Sequence, residues 1–226
     1  MGCNWLLSLG ALFTFTTFPA LLFAACPPGV NINDISPPTD VARTFIREGP
    51  GEYGESRASG NPHTGVDILT RASYDDRSAY AVYAMADGVV AYAQFNGGGL
   101  DQGFGNVVII DHGADCYTMM AHLSSDPFTP MPSDPSAALL VSVGQSVSPG
   151  TLVGYFVDMS SGVHSTGNAM RTAAAARWQT HFEFINAPSG RTGPGRIADI
   201  IGSDGRRIDP TATLLSLGYQ IEDIVN

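Results

Sequence analysis

The sequence predicts an all-β domain: an antiparallel sandwich or half-barrel of short strands, with long loops around a groove and one or two short helices. Three observations carry that expectation. From Asp67 onward the chain breaks into short runs rich in β-branched and aromatic residues. Glycine punctuates those runs as a turn residue does. Their spacing suits consecutive strands rather than the strand–helix alternation of a parallel sheet.

In chain order, residues 5–25 form an apolar run broken only by Ser, Thr, Gly and Pro19, and it ends in Phe23-Ala-Ala25 before Cys26. Small residues at that point suit the cut of a secretory signal. A run of this length also suffices to span a bilayer, so residues 1–25 are expected to be a signal peptide or a membrane anchor. Ala24-Ala25-Cys26 resembles the end of a bacterial lipoprotein signal, with Phe23 where that signal prefers Leu. Residues 26–60 are a Pro/Gly-rich lead-in with one helix-like stretch over 40–46. Residues 61–190 form the β core, with strands expected over 81–84, 88–93, 106–110, 116–120, 139–143, 151–157 and 180–184. Two insertions, over 126–138 and 160–177, are expected as loops, and loops of that length beside a site shape or gate it. Residues 191–226 are a C-terminal extension packed on the core, with a short helix opened by Asp209 as N-cap and Pro210 at the first position.

Charge and composition exclude whole classes of function. The formal net charge of −10 repels phosphate backbones, so nucleic acid is not a partner. The chain has no lysine. Val143-Gly-Gln-Ser-Val-Ser-Pro-Gly150 resembles a hairpin of biotinyl and lipoyl carrier domains, but those load their cofactor on a lysine, so that reading fails. The glycines at 97–99 and 103–105 lack the phosphate-loop spacing, and no Gly-x-Ser-x-Gly elbow supports serine hydrolysis. Of three cysteines, Cys3 leaves with a cleaved signal. Cys26 then either pairs with Cys116 or carries lipid and leaves Cys116 a lone thiol.

The residues with the chemistry of a site are histidines and carboxylates. Zinc takes imidazole nitrogen and carboxylate oxygen at about 2.0–2.2 Å, so its ligand atoms lie roughly 3–4 Å apart. In His63-Thr-Gly-Val-Asp67 the two end residues would sit about 13 Å apart in a straight strand and share a metal only across a bend. Gly65 permits that bend. Strand alternation in Gln179-Thr-His181-Phe-Glu183 puts Gln179, His181 and Glu183 on one face. His181 can be a third ligand with Gln179 beside the metal; His122 and His112 close other β-like runs and are further candidates.

His63-Thr-Gly-Val-Asp67, Ala86-Asp-Gly-Val-Val90, Gly103-Phe-Gly-Asn-Val-Val-Ile-Ile-Asp-His112, the 118–123 segment, the 143–150 segment and His181-Phe-Glu183 occur in one order. As a set they resemble the core of the lysostaphin-type zinc endopeptidases, over about residues 60–187. The resemblance implies a β-rich fold with a groove and hydrolysis of peptide bonds in bacterial peptidoglycan. It implies zinc on His63, Asp67 and His181, with His122 assisting catalysis and His112 supporting; His164 has no counterpart and reads as a loop residue. It also implies peptidoglycan peptides as partners, while the apolar N-terminal run implies an exported protein, periplasmic or extracellular. The routes to the membrane are an uncleaved anchor or a lipidated Cys26.

One position departs from the family, which reads His-x-His where this chain has Gln179-Thr-His181. Glutamine donates a hydrogen bond but does not titrate, so a proton-transfer role there is lost. The alternative expectation is therefore a zinc-containing, catalytically weak module that binds peptidoglycan or regulates another hydrolase.

Overall fold

A computed structural model of the chain describes residues 34–56, 62–71, 74–96, 104–113, 115–128, 139–158, 178–186 and 206–224. Among the described residues twelve strands join in one sheet. They are β1 (Thr44–Arg47), β2 (Val66–Thr70), β3 (Ala81–Tyr83), β4 (Gly88–Asn96), β5 (Gly105–Asp111), β6 (Cys116–Ala121), β7 (Leu123–Ser124), β8 (Ser146–Val147), β9 (Leu152–Asp158), β10 (Trp178–Asn186), β11 (Arg206–Ile208) and β12 (Ile221–Glu222). The main path runs β12-β1-β2-β10-β6-β5-β4-β8; β11 adds to β10, and β9 carries β3 and β7 as a side branch. Pairing is antiparallel except for β1 with β12. The expected all-β class is what the chain adopts.

Alternation along the central strands divides the apolar residues between two faces. Val66, Ile68, Val108, Ile110, Met120, Phe182 and Phe184 enter the main core, joined there by Val82, Leu123, Val153 and Phe156 of the branch. The alternate residues Val107, Ile109, Tyr117, Met119, Ala121 and Ile185 form a second cluster on the opposite face. β5 and β6 are thus buried on both sides, which is why their sequences read as near-continuous apolar runs, whereas β10 buries Gln179, His181 and Glu183 on one of its faces.

Several boundaries differ from the sequence expectation. Residues 40–46 are not helical: a turn over 41–43 leads into β1, which pairs Thr44 with Thr70 and Ile46 with Ile68. β-branched and aromatic residues at 44–46 suit a pleated, buried position, and a waiting strand edge outweighs weak local helix propensity. Residues 139–143 form no strand. Val141 is buried there while Leu140 and Val143 are exposed, and the Ser142 and Gln145 backbones close a turn. The C-terminal helix, α1 (Thr211–Ser216), starts one residue later than expected, with Pro210 at the N-cap position, and Asp209 Oδ1 accepts from the Thr211 amide at 2.9 Å. Residues 1–33, the 160–177 insertion and most of the 126–138 insertion lie outside the described residues, as do Cys26 and His164. Among the described residues no helix is long and apolar enough to cross a membrane. Cys116 is disulfide-bonded, which removes the lone-thiol alternative.

The C-terminal segment is fastened to the lead-in by a buried polar cluster. The Thr39 amide donates to Tyr219 Oη at 2.9 Å, and Thr39 Oγ1 lies 2.6 Å from Tyr219 Oη and 2.8 Å from Thr44 Oγ1. Burial pushes the Tyr219 phenol above its usual range, keeping it a hydroxyl. Tyr219→Phe leaves the Thr39 amide buried without its acceptor. The expected loss is about 1–3 kcal/mol of stability, read as a lower denaturant midpoint at unchanged slope.

Candidate metal centre

The centre is built on the pairing of β2 with β10, whose register sets Asp67 directly opposite His181. Both side chains leave the sheet on the face away from Phe182 and Phe184. His63 arrives from outside the strand. Its amide donates to the Glu55 carbonyl and its carbonyl accepts from the Gly54 amide, both at 2.8 Å, beside a bridge between Ser56 and Pro62. The lead-in therefore holds His63 in place. The expected bend occurs at Gly65, but for a different reason from the one anticipated. Gly65 has no positive φ; a Cβ there would stand 2.2 Å from the Phe182 carbonyl oxygen and 3.0 Å from His181 Cε1. Glycine is needed because the chain crosses β10 with no space for a side chain.

His63 Nε2, His181 Nδ1 and Asp67 Oδ1 form a nearly equilateral triangle. Its sides are 2.9 Å between the nitrogens, 3.1 Å from His181 to Asp67 and 3.3 Å from His63 to Asp67. Tetrahedral coordination at about 2.0–2.1 Å spaces ligand atoms roughly 3.3 Å apart, close to these values. All three residues are buried.

The outer ring nitrogens show which atoms face inward. His63 Nδ1 lies 2.9 Å from the Glu52 carbonyl oxygen, and His181 Nε2 lies 2.8 Å from Glu183 Oε1. Both partners accept hydrogen bonds, so each outer nitrogen carries the proton and each inner one presents a lone pair. Two lone pairs and a carboxylate oxygen in mutual contact repel one another unless a cation sits among them. The donor set and its tautomers therefore fit a small N/O-binding metal. The carboxylates around His181 favour positive charge at this point. Burial pulls the His181 imidazole down, but Asp67 and Glu183 outweigh it and hold its pKa above the usual value. Burial likewise pushes Glu183 up, while His181, Arg207 and Thr64 together hold it below the ordinary carboxylate range.

His122 stands between β6 and β7 with φ of 57°, a left-handed conformation rare outside glycine. Such a conformation costs about 1–3 kcal/mol and persists where the surroundings impose it. Here the His122 amide donates to the Phe104 carbonyl at 2.9 Å, and its carbonyl accepts from the Val157 amide at 3.2 Å. The kink passes the chain from the main sheet to the branch and brings the His122 ring to 6.3 Å from that of His181. Gln179 is fully buried in β10, two residues before His181 on the same face and paired with Val157. His122 and Gln179 thus share one neighbour in β9, Val157.

The region around this centre matches a known family: residues 61–186, more than half of the chain, match Peptidase family M23. The chain belongs to that family. Among solved structures, a zinc-containing peptidase from Vibrio cholerae is 22% identical with a TM-score of 0.42, covering 67% of this chain and 36% of that one. Lysostaphin from Staphylococcus simulans is 20% identical with a TM-score of 0.48, covering 82% of this chain and 56% of that one. The SpoIIIAH and SpoIIQ complex includes a chain that is 16% identical with a TM-score of 0.48, covering 79% of this chain and 98% of its own. The chain thus spans about a third of the first protein and somewhat over half of lysostaphin. None of the curated proteins matches it.

Within this M23 domain, His112 lies apart from the triangle. Its Nδ1 is 2.7 Å from the Asp87 carbonyl oxygen and its Nε2 is 2.8 Å from Thr118 Oγ1. It closes β5 beyond the Asp111–Tyr117 pair, whereas His122 follows the other end of β6. Sequence reading missed three supporting groups. The Glu52 carbonyl carries no motif, and the Thr64 hydroxyl, which donates to Glu183 Oε1 at 2.5 Å, sits inside the 63–67 motif with no role read for it. Arg207 Nε, 2.7 Å from Glu183 Oε2, comes from β11 beyond the matched region. The one available signal was Glu183 itself, sharing a face with His181.

Gly65→Ala forces a methyl group into the Phe182 backbone and pushes His63 away from β10. The expected cost is about 1–3 kcal/mol from overpacking, with metal affinity falling alongside; denaturation and metal titration of the variant check both. His112 supplies a pH dependence. Burial lowers its pKa below the ordinary 6.5, with the Asp87 carbonyl and nearby carboxylates opposing. As pH falls below 6.5 the unfolded chain takes up this proton first, so the folded state loses stability. His112→Gln removes that contribution, and its stability should fall less than that of wild type between about pH 7 and 5.

Proposed function

We propose that the chain is a zinc endopeptidase that hydrolyses peptide bonds of bacterial peptidoglycan, with zinc held by His63 Nε2, Asp67 Oδ1 and His181 Nδ1. The observation that carries this reading is the ligand triangle, with sides of 2.9–3.3 Å and both outer ring nitrogens committed to acceptors. Zinc in such a site polarises a carbonyl and lowers the pKa of coordinated water to about 7. His122, buried beside His181, is the group suited to accept and return the proton that moves during hydrolysis. Gln179 takes the place where the family carries a histidine. Its amide N–H can hold the substrate carbonyl or a water in line, and proton transfer falls to His122. The apolar run over 5–25 supports export, to the periplasm or the cell exterior, with an uncleaved N-terminal anchor as the means of membrane attachment. Short peptides of the cell wall are the expected partners.

Gln179 also supports a second reading, in which the domain holds zinc but works as a peptidoglycan-binding or hydrolase-regulating module. Losing one assisting group typically lowers the rate about 10²–10⁴-fold.

Digestion of purified sacculi separates the two. The enzyme reading expects wild type to carry stoichiometric zinc and release new amino termini, and His63→Ala to lose both. It also expects Gln179→His to bring no gain, because glutamine belongs to a working site. Zinc without released termini, together with a gain of about 10²-fold or more in Gln179→His, favours the weak module.

A further inference from the structure

The M23 match ends at residue 186, yet the polar shell around His181 does not. Glu183 is fully buried, and one of its hydrogen bonds goes to His181, a ligand in the zinc reading. Its Oε1 accepts from His181 Nε2 at 2.8 Å and from the Thr64 hydroxyl, while its Oε2 takes Arg207 Nε at 2.7 Å. Arg207 stands opposite Ile185 in the β10–β11 ladder, which puts its side chain diagonally over Glu183. Its backbone is fixed in turn: the Tyr53 hydroxyl donates to the Arg207 carbonyl at 3.0 Å. Tyr53 follows Glu52, the residue whose carbonyl orients His63. The lead-in and the C-terminal strand, both outside the family core, therefore meet behind the two histidines.

We propose that Arg207 is a positioning residue of the metal centre, acting on His181 through Glu183. The inference rests on the zinc reading above. A carboxylate turns readily about its last bond unless both oxygens are held. With Oε2 anchored by a guanidinium that is itself mostly buried, Oε1 stays between Thr64 and His181. The imidazole then keeps its Nε2–H outward and its Nδ1 lone pair toward His63 and Asp67. Without Arg207 the carboxylate is free to rotate, and the ring it orients is held less well.

The test is zinc affinity, measured on the full chain by competition with a chromogenic chelator. Arg207→Met is expected to bind zinc about 10–100-fold more weakly than wild type. In a Glu183→Gln background the same change is expected to add less than about twofold, because the element Arg207 acts through is already gone. An equal loss in both backgrounds would mean a general structural role and overturns the inference, as does an Arg207→Met affinity within about twofold of wild type. Should Arg207→Met fail to fold, Arg207→Gln, neutral but still polar, carries the same comparison with the same expected weakening. Wild type without stoichiometric zinc overturns the zinc reading itself. Zinc on wild type with unchanged affinity in the Arg207 variants overturns this inference alone.

Discussion

The antiparallel pairing of β2 with β10 in a single register is the constraint on which the rest depends. That register sets Asp67 against His181 on one face and interleaves Val66 and Ile68 with Phe182 and Phe184 on the other. A slip of one residue would reverse every side chain in β10. It would expose large apolar groups, each contributing about 1.5–3 kcal/mol when buried, and drive His181 and Glu183 into the core. The hydrophobic side of the strand pair therefore holds the polar side in alignment. The core thereby fixes where Asp67 and His181 stand.

The polar interior has its own logic. A buried carboxylate such as Glu183 is tolerable where a counter-charge and hydrogen bonds replace lost water, and each of its partners comes from a different segment. His63 shows the same pattern, with its ring held by the Glu52 carbonyl and its backbone by Gly54 and Glu55. Residues 52–55 and β11, which flank the matched region on its two sides, thus hold the surroundings of His63 and His181. Backbone strain at His122 fits this picture. Its left-handed conformation is imposed by hydrogen bonds to Phe104 and Val157, and the kink is what brings its ring close to His181.

Much of this was legible in the residues. The runs over 88–93, 106–110, 116–120 and 180–184 read as strands because their β-branched and aromatic content is dense, and each is a strand with ends extended by one to three residues. Asp209 before Pro210 announced a helix start one residue early. The misreadings share one cause. Residues 40–46 and 139–143 have local preferences too weak to decide, so what decides them is whether an unpaired strand edge lies within reach. β2 and β12 offer one to residues 44–47, and the second segment turns instead. Gly65 was noticed for its flexibility, but its space requirement depends on the Phe182 carbonyl, which no local pattern reveals.

By itself the sequence determined the kinds of donor atom, their order along the chain and the face each would take in β10. It did so because strand alternation and ligand chemistry are properties of a residue and its immediate neighbours. The tertiary structure alone decided the register that opposes Asp67 and His181, the absence of room for a Cβ at residue 65 and the tautomers of His63 and His181. It also decided the arrival of Arg207 behind Glu183. Each of these is a relation between atoms brought together by packing, from segments that no local sequence signal connects.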